Sequence, residues 1–227
     1  MDKQVRIVDE YKKCWSIVQN DEHFSDDERT YMAKVYSGIM DESIKNLDQI
    51  LIVVNSFKTQ MSDGKRLEII EQAASEVDQT YFDLKQFNTQ TEERQRDAIL
   101  EQADQALLKV ISLGLGETEE TLVLEAYIAN ARLAVKPMAR YKKYGDIFDN
   151  KLESATKLNP NNPRIYFLKG LSTYHTPKAF GGGVSRTLPF FEKASAFFSN
   201  EQQEDITKPF WGRRTNAYYL HECKSSK

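Results

Sequence analysis

Three histidines, two cysteines and one glycine triplet are where this sequence could do chemistry. His23, His175 and His221 are scattered. No His-Glu-x-x-His occurs, so no helix face offers two imidazoles and a base to a zinc ion. His221-Glu222-Cys223 joins three donor types, but three adjacent residues could hold a metal only with partners from elsewhere. A frayed chain end is expected there. Cys14 and Cys223 lie near opposite ends, a poor disulfide framework, and read as small packing residues. Gly181-Gly182-Gly183 could expose backbone N–H groups to an anion at a helix start. A phosphate loop needs a following Lys-Ser/Thr pair and a preceding strand. Here Val184-Ser185-Arg186 follows and no strand precedes. A structural turn with positive φ is expected, with Phe180, Gly181 and Arg186 as the residues of any loop contact. No Gly-x-Ser-x-Gly is present. Acidic pairs such as Glu119/Glu120 and Asp146/Asp149 suit helix starts and solvated faces better than acid–base work. No catalytic residue, metal or cofactor is expected, and the protein reads as a non-enzyme.

The totals agree with a folded helical chain. The 227 residues are 40% apolar and 11% aromatic, rich enough for a sizeable core. Ten glycines and six prolines, mostly bunched, leave long stretches without a breaker. Net charge is −3, with the acidic excess in the first hundred residues and a basic excess after them. A mildly acidic chain without a basic stripe does not favour nucleic acid. No run of 18 apolar residues exists, and Ile50-Leu51-Ile52-Val53-Val54 is far too short to span a bilayer. MDKQVRIVDEY is charged from the start and does not read as a leader.

The elements follow from apolar spacing. Val8, Tyr11, Trp15 and Val18 mark a helix over 4–19. Ser25 with Glu28 predicts a capping box opening a second, long helix, with Asp63-Gly64 as its firmest stop. Leu67, Ile70, Ala74, Val77, Tyr81, Leu84 and Asn88 step 3-4-3-4-3-4, a heptad seam. Residues 26–88 are therefore expected to form a long antiparallel hairpin, with the first helix packed on it as a bundle over 1–95. Asn88–Arg96 is polar throughout, either a linker or an exposed helix start. Beyond it, 96–227 reads as further helices. One starts at Asp97 and is ended by Gly114-Leu115-Gly116; one is capped by Thr118; one runs from about Tyr144 to Lys157.

Residues 159–198 then carry a recognisable order. Ala155, Pro160 and Gly170 are spaced as in a helix–turn–helix repeat. Pro160 ends one unit, Pro163 starts a helix where a missing N–H costs nothing, and Gly170 permits close helix approach. This resembles the tetratricopeptide repeat. The turn is longer than in that family, with about five residues inserted in the His175–Gly183 loop. Asn162-Pro163-Arg164, Pro177-Lys178-Ala179-Phe180-Gly181-Gly182 and Pro209-Phe210-Trp211-Gly212 resemble segments of bacterial, mostly exported, helical-repeat proteins. The likeness covers about 97–222. It implies a short right-handed α-solenoid with a C-terminal capping helix, and an exported or periplasmic setting. The fold class is thus all-α: a helical hairpin or bundle followed by this solenoid.

The resemblance also implies a concave groove lined by the first helix of each unit. Carried over by repeat position, its residues are Arg164, Phe167, Leu171, Tyr174 and His175. The functional expectation is a protein–protein interaction scaffold that takes a protein or peptide in this groove. The alternative is a small-molecule binder, in which the 176–183 loop closes over a pocket built by Tyr166, Tyr174 and Trp211.

Overall fold

Ser25 sets where the second helix begins. Its backbone N–H donates to Glu28 Oε2 at 2.9 Å, and the Glu28 N–H donates to Ser25 Oγ at 3.3 Å, the reciprocal capping box that the spacing predicts. In this computed structural model, residues 2–54, 61–115, 117–201 and 209–225 are described. Among them the chain is all-α, without a strand. The helices are α1 (Asp2–Asn20), α2 (Asp26–Val54), α3 (Asp63–Val110), α4 (Glu119–Val135), α5 (Pro137–Leu158), α6 (Pro163–His175), α7 (Val184–Ser199) and α8 (Arg213–Ser225). No described helix is long and apolar enough to cross a membrane. The chain divides into two compact units, Met1–Ile99 and Leu100–Lys227, against the expected division at 95/96. Each has its own core.

In the first unit α1 and α2 are antiparallel, with Ser43 meeting Gln4 and Trp15 meeting Tyr36. α2 and α3 are antiparallel too, pairing Glu28 with Arg94 and Tyr36 with Asn88. The core centres on Tyr36, whose ring meets the edges of Tyr11, Trp15 and Phe87. Its hydroxyl donates to Asn88 Oδ1 at 2.9 Å, and Asn88 Nδ2 donates to the Glu10 carbonyl. Burial pushes the Tyr36 phenol well above its ordinary range.

Three expectations need correcting here. Asp63-Gly64 does not stop the second helix. α2 is described as far as Val54, and Asp63 opens α3 with the Ser62 hydroxyl accepting from the Lys65 N–H. The polar stretch 88–96 is neither linker nor helix start but the interior of α3, which also absorbs the helix expected from Asp97. The buried seam runs through Ala73, Val77, Thr80, Leu84, Asn88 and Thr91. Ala74 is exposed, as is Leu67 at 57%, and Tyr81 is half-buried. The reason is volume. The large rings of α1 and α2 fill the centre, so α3 presents small and polar residues there. Thr80 and Thr91 satisfy their hydroxyls on the carbonyls of Glu76 and Phe87.

The second unit is built from helix pairs. α3 ends in a wide turn, Ile111–Leu115, where Gly114 takes φ 85°. Thr118 caps α4 in a capping box with Thr121. Only Lys136 separates α4 from α5, and Pro137 occupies the first turn of α5, so that helix starts well before Tyr144. Ala126, Ala129 and Ala155 are buried and small, which lets α4 and α5 approach closely. α6 and α7 form the next antiparallel pair. Gly170 lies against Phe191, Tyr166 against Phe197, and Arg164 against Phe198. α8 closes the unit. Asn216 Nδ2 donates to the Phe191 carbonyl at 3.0 Å, and Cys223 is buried. His221-Glu222-Cys223 is therefore ordinary helix with its cysteine in the core, not a frayed end. The expected turn through 199–205 lies partly outside the described residues.

Candidate functional site

The groove assigned to α6 divides in two. Arg164 and Phe167 are 1% and 2% exposed; neither lines the expected groove, and Arg164 reaches only a polar concavity at the start of α6. Arg164 is a structural tie. Its Nη1 donates to Glu201 at 2.6 Å and its Nη2 to the Pro209 carbonyl at 2.5 Å, while the guanidinium lies over Phe198 and Trp211. Phe167 packs on Phe191, Trp211 and the backbone of Gly212. Leu171 is half-buried against the same core. These positions are covered because the segment 209–212 folds back over α6. Repeat position alone could not show that.

Tyr174 and His175 remain accessible, half-buried and exposed respectively. They do not stand alone. The Tyr174 ring meets the edge of Tyr219 at 5.0 Å, and His175 meets it at 5.9 Å. His175 Nε2 lies 3.4 Å from Tyr219 Oη. Tyr219 stacks on Phe191 at 5.5 Å with 17° between planes, and Tyr218 meets its edge. On α4, Tyr127 stacks on Trp211 at 5.4 Å and 9°. Burial, followed by the phenols of Tyr174, Tyr218 and Tyr127, holds the Tyr219 hydroxyl above the ordinary tyrosine value. Two phenols, Tyr174 and Tyr218, and the His175 imidazole thus meet the Tyr219 ring, while Tyr127 forms a separate stack on Trp211. Tyr127 and Tyr218 are 41% and 59% exposed, so the cluster has a free aromatic surface. Such a surface binds flat apolar rings by stacking, and its phenol and imidazole offer oxygen and nitrogen donors.

The sequence reading missed Tyr127, Tyr218 and Tyr219. The sequence assigns α8 only the role of a cap. The adjacent pair Tyr218-Tyr219, an aromatic doublet like Tyr174-His175, is the signal that could have found them.

The other expected contacts are spent or separate. Gly181 and Gly182 donate their N–H groups to the carbonyls of Lys178 and Pro177, at 3.2 Å each. Those donors are not free for an anion. Gly181 has φ 98° and Gly183 φ 109°, the structural turn the triplet predicts. Phe180 is 81% exposed at the loop tip, and Arg186 is exposed beside Gly181. Tyr166, Tyr174 and Trp211 do not surround one pocket. Tyr166 donates to the Pro160 carbonyl at 2.7 Å and lies under Lys193, Trp211 packs with Tyr127 and Phe167, and Tyr174 with Tyr219.

A second concavity, polar, lies at the start of α6 and is lined by Glu119, Glu120, Asn162, Arg164 and Glu201. Most of its polar atoms are paired with one another, but Glu120 Oε2 and Arg164 Nε are buried without a hydrogen-bond partner. Asn162 Nδ2 donates to Glu120 at 2.7 Å and Asn159 Nδ2 to Glu119 at 3.2 Å. Among the described residues no group of three or more His, Cys, Asp or Glu side chains is arranged to hold a metal ion.

No protein-family model matches the chain, and no curated protein sequence does. In structure it is similar to the HusA haemophore from Porphyromonas gingivalis, with a TM-score of 0.52 and 27% sequence identity, over 80% of this chain and 85% of that one.

Proposed function

We propose that this chain is a binding protein, not an enzyme, and that its ligand is a tetrapyrrole of the haem class, held on the aromatic surface of α4, α6 and α8. The reading is supported most directly by the tyrosine–histidine cluster of the second unit in a chain structurally similar to a haemophore. The residues fit such a ligand. A tetrapyrrole supplies a flat, mostly apolar macrocycle that can carry an iron accepting oxygen or nitrogen donors. Tyr127 and Tyr218 offer exposed ring faces, and Trp211 backs Tyr127. Each ring face is worth about 1 kcal/mol to a stacked partner. Tyr219 and His175 supply an oxygen and a nitrogen.

The test is a titration with ferric and with metal-free protoporphyrin, followed by absorbance and by quenching of Trp211 in a Trp15→Phe background. Saturable binding of both is expected. Tyr127→Ala combined with Tyr218→Ala should weaken it about tenfold or more. Absence of saturable binding by either porphyrin would overturn the reading.

A protein- or peptide-binding scaffold is the second reading. It is supported by exposed Tyr174 neighbours of the hot-spot type and by Phe180 and Phe210 standing free of the core. A peptide captured by wild type and lost on Tyr174→Ala/His175→Ala, without porphyrin binding, would favour it.

A further inference from the structure

We propose that the polar concavity at the start of α6 is a saccharide site, in which a sugar hydroxyl bridges Glu120 and Arg164. It is separate from the aromatic surface and does not rest on the tetrapyrrole reading.

Size permits it. The concavity has a volume of about 610 Å³, within the roughly 300–1,000 Å³ usual for small-molecule sites. Its hydrogen bonding is incomplete at two neighbouring side chains. Arg164 has 1% of its side chain exposed. Its two terminal nitrogens are taken by Glu201 and the Pro209 carbonyl, and its Nε has no partner. Glu120 Oε1 accepts from Asn162 Nδ2 at 2.7 Å and lies 3.5 Å from Arg164 Nη1, while its Oε2 is buried and unpaired. Burial lifts the Glu120 carboxyl above its usual value, as expected of an oxygen stripped of water. Buried polar atoms in folded proteins are nearly always paired, so an unpaired donor and acceptor side by side on a cavity wall point to a ligand.

Charge and hydrogen-bond type select that ligand. Glu119, Glu120 and Glu201 set three carboxylates against the one guanidinium of Arg164, which repels an anion such as phosphate. An alkylammonium would serve Glu120 but offers no acceptor to Arg164 Nε. A hydroxyl donates and accepts at once, so it serves both. The Glu120 side chain is 24% exposed, and its carboxyl turns toward the hydroxyl as the sugar enters. Further hydroxyls reach the exposed amides of Asn161 and Asn200 at the rim. Pro163, Phe197 and Pro209 give the carbon ring an apolar wall. An apolar wall with a few convergent polar groups is the general pattern of a small-molecule site.

The experiment uses the full chain and saturation-transfer NMR, with glucose, galactose, mannose and N-acetylglucosamine as probes, and inorganic phosphate and putrescine as controls. Saturable binding of at least one pyranose is expected, and none of phosphate. Glu120→Gln replaces the unpaired acceptor by an N–H donor while keeping an acceptor for Asn162. It should weaken the sugar by about tenfold or more. Asn161→Ala with Asn200→Ala, both at exposed positions, should weaken it by about threefold or more. Tyr127→Ala with Tyr218→Ala should leave it unchanged, which keeps this site distinct from the porphyrin surface. If no pyranose binds wild type, the concavity holds water only and the proposal fails, with the tetrapyrrole reading untouched. Putrescine binding without any pyranose would make it a cation site and overturn the proposal as well. Equal sugar affinity in wild type and a Glu120→Gln variant whose circular dichroism is native would also sink it.

Discussion

Gly170 has no side chain, and the ring of Phe191 occupies the space one would need. A Cβ there would sit 2.6 Å from Phe191 Cε1. Gly170→Ala should therefore cost stability in spite of alanine's better helix propensity, by about 1–3 kcal/mol as overpacking does. A denaturant midpoint equal to or above wild type would refute this. Glu120 makes a second prediction. Burial lifts its carboxyl above the usual value, against the lowering pull of Arg164 and Asn162. A carboxyl raised in the folded state binds its proton more tightly folded than unfolded. Its contribution is complete below the unfolded value and is lost as pH rises through the folded one. Glu120→Gln keeps an acceptor for Asn162 and removes the charge. Stability of the variant should then decline less than that of wild type from about pH 4.5 to neutrality, read as urea midpoints at the two ends. Identical pH slopes would show that Glu120 is not the titrating group.

Local signals account for helix boundaries where a cap or a glycine turn makes them, at Ser25, Thr118 and Gly114, and miss the start of α5 at Pro137. The Ser25–Glu28 capping box and the Thr118 cap stand in the structure as in the sequence, and the structure adds Thr121 as the reciprocal partner of Thr118, because the cap is made by neighbours in the chain. Ser25→Ala should destabilise by about 1 kcal/mol, measured by thermal or urea unfolding. Glu28 carries the pH-dependent part. Hydrogen bonds from the Ser25 backbone and hydroxyl, with Arg94 beside it, hold its carboxyl below the usual value. A depressed carboxyl contributes stability above its unfolded value and loses it as pH falls through the folded one. Wild type should thus lose its advantage over Glu28→Gln as pH drops below about 4.5. By contrast, the polar run 88–96 looked like a break and is helix, because Asn88 and Thr91 find partners inside the bundle. The α3 seam was displaced to Ala73 and Thr80 for a similar reason. Which stripe turns inward depends on the volume of the rings on α1 and α2, which the α3 sequence does not contain.

The molecule holds two cores, one around Tyr36 and Leu84, the other around Leu152, Phe167 and Phe191. The aromatic cluster belongs wholly to the second. Leu84→Ala should cost about 2–5 kcal/mol in the first unit, followed through Trp15 in a Trp211→Phe background. Porphyrin affinity measured by absorbance at native temperatures should not change. A matching loss of affinity would mean that the site draws on both units. The sequence by itself determined the all-α class, most helix starts, the Gly170 contact, the left-handed turn of the glycine loop and the burial of both cysteines. Each follows from backbone chemistry or from residue spacing within one or two elements. The tertiary structure decided the rest. It took Arg164 and Phe167 out of the groove, because 209–212 folds over them. It brought Tyr174, His175, Tyr218 and Tyr219 together from α6 and α8, and set Tyr127 of α4 on Trp211. Periodicity says only that a side chain leaves its helix on a given face. What meets it there is set by the packing of helices far apart in the chain, and the candidate site consists of such meetings.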